Sequence, residues 1–320
     1  MLLIKNIRLE TGFNEVNNQV VSTTTEKFDV LIDGDKIIEI SKKIEVTEGM
    51  TLVEGHNQLL MPAMREMHIH IDKTYFGGPW QAPRPITNGI FTRFEEERTL
   101  LPRQLETARD RAHAVVQHYI NGGHRHIRSH CNVDPHIGTK HIEITKEVLE
   151  SYKDQITYDI IAFPQHGLFA PNVPILMEQA LLMGATHVGG VDPSTVDKHV
   201  DKSLSFIFEL AVKHNKKVDV HLHNRDTLGA NEFYKMADYT KQAKKEGQVT
   251  LSHAMALGAL GSDALKEMMH ALSEVAIDVT STVPIGMHRQ TMPYFELTKG
   301  GVKVSLGHDS LIDHWSPFGS

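Results

Sequence analysis

The pattern of apolar and polar positions changes near residue 58. Before this point, short extended segments such as LLIKNIRLE and KFDVLIDGDKIIEI are separated by turn residues. The DGDK tetrapeptide favours a hairpin, because Gly34 can adopt the positive φ angle that such turns require. We therefore expect residues 1–57 to form a small β-domain.

After residue 58, short apolar strands alternate with amphipathic helices. In DKSLSFIFELAVKH, apolar residues recur at intervals of three and four, which is typical of a helix that covers a sheet. The pattern predicts strands at residues 59–71, 125–131, 157–163, 186–191, 217–222, 249–253, 276–281 and 302–308. It predicts helices at residues 101–121, 174–184, 201–214, 228–246 and 263–273. Residues 58–320 are therefore expected to form a TIM-type (β/α)8 barrel of the α/β class, with a doubly wound open sheet as the alternative.

Residues of metal-binding or catalytic type cluster at the carboxyl ends of the predicted strands. In a (β/α)8 barrel, this end of the strands carries the active site. The residues are His68, His70, His130, Gln165, Asp192, His221, His253 and Asp309. Because several strands end in such residues, a shared site is a better explanation than a separate structural reason for each one.

Composition limits the classes of function. The formal charge of −7 and the pI near 6.3 argue against a nucleic-acid-binding surface, since such surfaces are usually basic. The sequence has no apolar run of the ~18 residues that a membrane helix needs, and its first residues, MLLIKNIRLETG, lack the pattern of a signal peptide. The single Cys131 fits a reducing compartment. We expect a cytoplasmic protein with neither nucleic acid nor membrane as a partner.

His68 and His70 are separated by one residue in a predicted strand, so their side chains point to the same face. Two imidazoles at this spacing can bind one metal ion, although an isolated pair is better explained as core histidines with hydrogen-bond partners. His221 and Asp309 end two further strands. Three imidazoles and a carboxylate around an open position form a catalytic site for one divalent ion, Zn²⁺ or Fe²⁺. Such an ion lowers the pKa of a bound water and makes hydroxide available.

The motifs HIHIDK, VDVHLHN, VTLSHA and LGHDSLIDHWSPFG, in this order and spacing, resemble those of the amidohydrolase superfamily. The cytosine-deaminase-like branch is the more similar part of it. Within that branch, HVGGVDPST, TMP and DHWSPFG resemble enzymes of the N-isopropylammelide amidohydrolase type. The resemblance implies a metal-dependent (β/α)8 barrel with a small β-sandwich, a small-molecule N-heterocycle as substrate, and a homo-oligomer.

The resemblance also implies roles for individual residues. The implied metal ligands are His68, His70, His221 and Asp309. Asp309 would also accept the proton of the attacking water, and His253 would hydrogen-bond that water or the tetrahedral intermediate. Gln165 would read the substrate through its amide, and Trp315 would line the pocket. From residue type alone, structural roles explain these last three residues too: a strand-end hydrogen bond, a loop brace and core packing.

Further candidates follow from position in the chain. Lys73 would stabilise an oxyanion or bind a substrate carbonyl, unless it is a solvated loop residue. Asp192 would orient a histidine or bind a nitrogen of the substrate. Of the other histidines, His126 and His130 are candidates for pocket walls. We expect His124 and His141 to lie at the surface.

The chain departs from the cytosine deaminases of this branch at two positions. Those enzymes have a glutamate, their proton shuttle, three residues after the third ligand histidine, where this chain has Asn224. The aspartate that follows their metal-binding aspartate is replaced by Ser310. Both changes weigh against cytosine as the substrate. His223 lies on the same strand face as His221 and is the candidate replacement shuttle, because the pKa of histidine lies near neutral pH.

The sequence thus predicts a metal-dependent amidohydrolase or deaminase that hydrolyses a non-peptide C–N bond of a cyclic amidine or an amino-substituted N-heterocycle. The enzymatic alternatives are a cytosine- or isocytosine-type deaminase and a lactam-opening amidohydrolase. A non-catalytic remnant is the alternative of another class, because the sequence ends at WSPFGS. The resemblance implies a further barrel helix and strands that complete the β-sandwich. We therefore expect a truncated chain, with a barrel that lacks its last helix and an incomplete sandwich.

Overall fold

The computed structural model describes residues 1–16, 19–282 and 291–316. The chain divides into two compact units, Met1–Ala63 and Met64–Ser320. Residues 317–319, the end of the DHWSPFG motif, lie outside the described residues. In the described ranges, no helix combines the length and the apolar composition that are needed to cross a membrane.

The first unit contains one four-stranded sheet. Its strands are β1 (Leu2–Val16), β2 (Gln19–Asp33), β3 (Lys36–Ser41) and β4 (Thr51–Glu54), in the order β3-β2-β1-β4. Neighbouring strands are antiparallel except β1 and β4, which are parallel. The predicted DGDK hairpin joins β2 to β3, and Gly34 has a φ of 59°. Leu3, Leu31 and Ile44 form the small apolar core.

The second unit is a nearly closed eight-stranded parallel barrel, as predicted. The strands are β5 (Met64–Ile69), β6 (His124–Asn132), β7 (Thr157–Phe163), β8 (His187–Val191), β9 (Lys217–His221), β10 (Val249–Ser252), β11 (Asp278–Ser281) and β12 (Val304–Leu306). Each strand pairs with the next one along the chain. This consecutive order excludes the doubly wound open sheet, whose strand order reverses at a switch point.

Helices connect the strands. They are α1 (Ile90–Asn121), α2 (Lys140–Glu150), α3 (Val173–Met183), α4 (Val200–Lys213), α5 (Asp226–Ala243), α6 (Ser262–Glu274) and α7 (Tyr294–Lys299). The apolar core includes strand residues such as Ile127, Ile160 and Val218, each of which is fully buried. The predicted first helix began too late at residue 101. The helix α1 begins at Ile90 and contains Pro102.

The barrel closes at a seam between β5 and the segment that follows β12. The Asp309 N–H donates to the carbonyl oxygen of His68 at 2.7 Å, and the His70 N–H donates to the carbonyl oxygen of Asp309 at 2.8 Å. Gly307 makes this close approach possible, because a Cβ atom there would lie 2.5 Å from the Cβ and 2.6 Å from the backbone nitrogen of His68. The seam therefore places three of the predicted site residues side by side.

We expect Gly307→Ala to destabilise the barrel. The added methyl group meets the His68 backbone rather than a flexible side chain, so the seam must open, at a cost of about 3 kcal/mol. Urea unfolding followed by circular dichroism measures this cost. Gly261→Ala is the matched control, since a Cβ at Gly261 meets nothing within 4 Å. Equal stability of the two variants would contradict the close contact at the seam.

Candidate active site

Four predicted ligand residues converge at the carboxyl end of the barrel. The ligand atoms of His68, His70, His221 and Asp309 all lie within 4.8 Å of one another. Asp309 Oδ1 is 3.3 Å from His68 Nε2 and 3.5 Å from His70 Nε2. His70 Nε2 is in turn 3.3 Å from His221 Nε2. Parallel strands produce this convergence, because their carboxyl ends meet at one edge.

The protonation states in this cluster favour a cation. Burial, followed by the nearby charge of Lys73, lowers the pKa of His70 to about 3. Burial also holds the pKa of His221 well below its usual value. Both rings are therefore neutral near pH 7 and can offer nitrogen lone pairs. Burial raises the pKa of the Asp309 carboxyl, but interactions with the surrounding imidazoles, led by His253, outweigh burial and lower this pKa.

The cluster fits a divalent metal ion by its unsatisfied atoms and its donor set. His68 Nε2 is fully buried and has no hydrogen-bond partner among the described residues, and the same holds for His221 Nδ1. Buried polar atoms without partners are uncommon in folded proteins and call for an ion or a water. Imidazole nitrogens and a carboxylate oxygen are the ligands that Zn²⁺ and Fe²⁺ commonly use.

A second group of polar residues lies beside the four candidate ligands. His253 follows β10, and its Nδ1 atom lies 2.8 Å from Thr282 Oγ1. Its ring centroid is 4.7 Å from that of His68 and 4.2 Å from that of His223. Burial, followed by the charge of His223, holds the pKa of His253 well below its usual value. His253 is thus a neutral imidazole next to the candidate metal ligands.

Asp192 fixes the orientation of His223. The Asp192 carboxylate accepts hydrogen bonds from the His223 backbone N–H at 2.7 Å and from His223 Nδ1 at 2.8 Å. Because a carboxylate only accepts, Nδ1 carries the ring proton, and in the neutral ring Nε2 has the lone pair. The His223 side chain is 36% exposed, so it can reach both solvent and the site. Of the alternatives for Asp192, the orientation of a histidine is the one that the geometry matches.

Asn224 is held in place by two hydrogen bonds. Its Nδ2 donates to Glu232 Oε1 at 3.0 Å, and its Oδ1 accepts from Thr195 Oγ1 at 2.6 Å. An amide does not exchange protons in catalysis as a carboxylate does. The side chain at this position is therefore a fixed structural group in this chain.

Lys73 is buried and not a solvated loop residue. Its Nζ atom donates to Gln165 Oε1 at 2.7 Å and lies 3.6 Å from Glu97 Oε1. Burial lowers the pKa of this ammonium group, but the surrounding carboxylates, led by Glu97, outweigh burial and raise the pKa. The ammonium also lies 5.6 Å from the centre of the Trp315 ring. The structure thus brings together Lys73, Gln165 and Trp315, which the sequence left as separate candidates.

Glu97 on α1 is the centre of this second cluster. Its two carboxylate oxygens each lie 2.8 Å from a histidine Nε2, one of His166 and one of His314, and Trp315 Nε1 donates to Oε1 at 2.8 Å. Burial raises the pKa of Glu97, but the charge of Lys73 and the hydrogen bonds from the two histidines hold it well below the usual value. One buried carboxylate therefore fixes both the lysine and the tryptophan.

Three candidate site residues have strained backbone conformations. Asp192, His253 and Asp309 follow β8, β10 and β12, with φ angles of 37°, 65° and 64°. A residue other than glycine in this region costs about 1–3 kcal/mol, and such strain is concentrated at functional sites. These three residues thus have the kind of backbone conformation that is common at functional sites.

The structure corrects two assignments of other histidines. His141 is fully buried, not at the surface, and its Nδ1 lies 2.8 Å from the buried Asp72 carboxylate. His126 is not a pocket wall, because it lies at the amino end of β6, where it contacts Thr157 at 2.9 Å. His130 does lie in the site region, where it stacks on His68 at 3.8 Å between ring centroids. His124 is half-buried and bonds the Tyr119 carbonyl oxygen.

Sequence reasoning missed Glu97, Asp72 and Asn132. Glu97 belongs to the run FEEER on a helix, where acidic residues are usually exposed, so it had no distinguishing signal. Asp72 directly follows HIHI and was not among the predicted site residues. In the structure, its carboxylate accepts a hydrogen bond from the Asn132 N–H at 2.7 Å. The Asn132 side chain also accepts from Lys73 at 3.4 Å. A carboxylate so close to the histidine pair was a usable signal.

Known proteins resemble this chain over most of its length. The profile of the amidohydrolase family matches residues 167–320. The uncharacterized protein YahJ of Escherichia coli strain K12 is 36% identical over 320 residues, which cover 99% of this chain and 69% of YahJ. These matches include the segments that carry His221 and Asp309.

Solved structures resemble both units of the chain. N-isopropylammelide isopropylaminohydrolase from Burkholderia multivorans has a TM-score of 0.87 and 27% sequence identity, and the match covers 100% of this chain and 77% of that enzyme. 5-methylcytosine deaminase from Klebsiella pneumoniae, liganded with 5-fluorocytosine, has a TM-score of 0.78 and 25% identity, with coverage of 99% and 77%. Both relatives are named for reactions on small N-heterocycles.

We expect Glu97→Gln to destabilise the protein by about 3–5 kcal/mol at pH 7, because it leaves the Lys73 ammonium buried without its main counter-ion. The pKa of Glu97 is lowered in the folded state, so its stabilising effect is present above the usual carboxyl value near 4.5 and is lost as the pH falls below it. The difference between wild type and variant should shrink accordingly. Urea unfolding at pH 7 and in acid measures it.

Glu95→Gln is the matched control for Glu97→Gln. It removes the same charge from the same helix at an exposed position, so its effect should stay within about 0.5 kcal/mol. Equal effects of the two variants would show that Glu97 does not stabilise the buried cluster.

Proposed function

The chain belongs to the amidohydrolase family, and we propose that it hydrolyses a non-peptide C–N bond in a cyclic amidine or an amino-substituted N-heterocycle. Its relatives are metal-dependent hydrolases and deaminases that act on carbon–nitrogen bonds. The observation that carries this proposal is the convergence of His68, His70, His221 and Asp309 at the carboxyl end of the barrel. The neighbouring Lys73, His223 and His253 supply the polar groups that such a reaction needs.

The proposal includes one divalent ion per chain, Zn²⁺ or Fe²⁺, held by the three imidazoles and the carboxylate. Such an ion, when bound, acts as a Lewis acid and lowers the pKa of a water molecule toward neutrality. The protein contributes neutral imidazoles, since the pKa values of His70 and His221 are lowered by burial. In the same proposal, the protein is cytoplasmic and homo-oligomeric.

Asp309 and His253 act on the attacking water in this proposal. The lowered pKa of Asp309 keeps its carboxylate ionised near neutral pH, so it can accept the proton of that water. His253 is a neutral imidazole fixed by Thr282, and its Nε2 atom has no hydrogen-bond partner among the described residues. That atom is suited to hydrogen-bond the water or the oxygen that develops charge.

His223 protonates the leaving nitrogen. Asp192 holds its Nδ1 as a donor, so Nε2 can receive a proton and pass it on. Asn224 does not serve here, because Glu232 and Thr195 hold its amide. The histidine therefore takes the place of the missing glutamate.

Lys73, Gln165 and Trp315 bind the heterocycle. The Lys73 ammonium is held between Gln165 and Glu97 and offers a positive donor to a ring carbonyl or a ring oxygen with developing negative charge. The Trp315 ring, oriented by Glu97, offers an apolar face to a flat ring. A substrate with carbonyl and amino substituents on one ring fits these groups.

Cytosine- or isocytosine-type deamination is the second candidate. The similarity to 5-methylcytosine deaminase favours it, whereas Asn224 and Ser310 weigh against it. A lactam-opening reaction would use the same metal ligands, and a non-catalytic remnant would bind metal without turnover. A substrate panel separates these possibilities.

The test measures turnover by the purified chain, prepared with Zn²⁺ or Fe²⁺. The substrates are N-alkylated amino-triazines, cytosine, isocytosine and a cyclic lactam. We expect about one ion per chain by elemental analysis and release of an amine from an N-alkylated triazine. His221→Ala should lose the ion and at least about a thousandfold of the turnover, since metal activation is worth several kcal/mol.

His270→Gln is the control, because this histidine is exposed on α6 and should change neither metal content nor rate. Preferential release of ammonia from cytosine would replace the leading proposal with the second candidate. One bound ion without turnover of any compound would support the non-catalytic alternative. A chain that binds no metal would contradict the proposal altogether.

We expect His223→Gln to lower kcat by about a hundredfold or more with little change in KM, because general acid catalysis contributes about 10²–10⁴-fold. The variant should also lose one limb of the pH–rate profile. Its metal content should equal that of wild type, which separates proton transfer from metal binding. Unchanged turnover would exclude His223 as the shuttle.

A further inference from the structure

A row of hydrogen-bonded polar side chains lies in the barrel interior below the candidate metal site. Interiors of (β/α)8 barrels are usually filled by branched apolar side chains. Here Asp219 on β9, Ser252 and Thr250 on β10, and Arg128 on β6 are buried and in contact. Burying such polar side chains is costly unless each one has a hydrogen-bond partner. Their presence in the barrel interior therefore calls for an explanation.

One end of this row of polar side chains contacts a candidate metal ligand. Ser252 Oγ lies 2.9 Å from His68 Nδ1 and donates to Asp219 Oδ1 at 2.5 Å. Arg128 donates to the other oxygen, Asp219 Oδ2, at 3.1 Å. Burial raises the pKa of Asp219, and the charge of Arg128 opposes this shift without cancelling it. Both oxygens of Asp219 act as acceptors, because the Ser252 hydroxyl donates to one and the Arg128 guanidinium donates to the other.

The proton count fixes the direction of each hydrogen bond. A serine hydroxyl has one proton, and Ser252 gives it to Asp219. Ser252 can then only accept from His68, so His68 carries its proton on Nδ1. In a neutral imidazole with this tautomer, Nε2 has the lone pair. That atom is the one that faces Asp309 Oδ1, at 3.3 Å.

We propose that Ser252 and Asp219 form a relay that holds His68 in its metal-binding tautomer, with Ser252 as the positioning residue. This inference rests on the proposed function, because it assumes that His68 is a metal ligand. Metal-bound histidines generally donate their outer N–H to a carboxylate, a carbonyl or a water. In this chain a serine is inserted between the histidine and the carboxylate.

Within the part of the chain that the structure describes, the other two imidazoles lack a comparable contact. His70 Nδ1 lies 3.9 Å from Asp72 Oδ1, which is too far for a hydrogen bond. His221 Nδ1 has no hydrogen-bond partner among the described residues. The relay therefore makes His68 the ligand whose tautomer is fixed before the ion binds.

A second cation at His68, His130 and Asp219 is the competing explanation for these buried groups. Their ligand atoms also lie within 4.8 Å of one another. The Arg128 guanidinium, however, is 3.1 Å from Asp219 Oδ2 and already supplies the positive charge. A metal ion there would be repelled by Arg128 and would displace the Ser252 bond. The hydrogen-bonded relay is the arrangement that satisfies these charges.

The first readout needs no metal. In histidine-labelled metal-free protein, ¹⁵N NMR separates the two neutral tautomers, and the His68 signals are assigned by their loss in His68→Gln. We expect the proton on Nδ1 in wild type and a mixture of tautomers in Ser252→Ala. A wild-type proton on Nε2 would overturn the relay.

The second readout is affinity for Zn²⁺, measured by competition with a chromophoric chelator. Ser252→Ala keeps the Asp219–Arg128 pair and should weaken Zn²⁺ binding about 10–100-fold. Thr250→Val is the matched control, because it removes a hydroxyl from the same strand that bonds Arg128 at 3.2 Å but not His68. Its affinity should match that of wild type, and thermal unfolding of the metal-free variants shows whether both remain folded.

The outcomes separate the relay from the proposed function. Equal affinity of wild type and Ser252→Ala overturns the positioning role, even if the protein is an active hydrolase. Equal losses in Ser252→Ala and Thr250→Val also overturn it, because the effect is then not specific to His68. A wild-type chain that binds no Zn²⁺ overturns the proposed function, while the tautomer readout still decides whether the relay exists.

Discussion

The backbone pairing at the barrel seam is the contact on which the candidate site depends. Asp309 is bonded to His68 and His70 through its own N–H and carbonyl groups, so the carboxylate cannot shift without breaking main-chain hydrogen bonds. Gly307 is required because any side chain there would collide with His68. The segment that follows β12 thus places the fourth candidate ligand directly against the first two, so the same main-chain hydrogen bonds close the seam and bring these three residues together.

Two buried polar networks then fix the side chains on either side of that seam. Below it, Asp219 and Ser252 fix the ring of His68. Beside it, Glu97 fixes Lys73 and Trp315. Both networks contain a buried carboxylate paired with a cation, an arrangement that is costly to assemble and strongly destabilised when one partner is removed. Rigid polar groups of this kind need little reorganisation when charge develops nearby, which is what a hydrolytic site requires.

At the usual shuttle position, this chain has an amide with two fixed hydrogen bonds, and a histidine directly precedes it. Asn224 is locked by Glu232 and Thr195, whereas His223 is oriented by Asp192 and is partly exposed. The group that can carry a proton is therefore the one next to the fixed amide. The proposed reaction keeps the metal ligands of the family and moves the proton transfer by one residue along the chain.

The sequence by itself determined the barrel and the identity of the four converging residues. Short apolar strands alternate with helices of period 3.6, and parallel strands must bring their carboxyl ends together. His68, His70, His221 and Asp309 could therefore be grouped from their positions at strand ends and from the family motifs. Only the tertiary structure decided which charges are buried against each other. Glu97, and the partnership of His141 with Asp72, depend on contacts between elements far apart in sequence. Local patterns do not encode such contacts: an acidic residue on a helix has the same pattern whether it faces solvent or a lysine in the core.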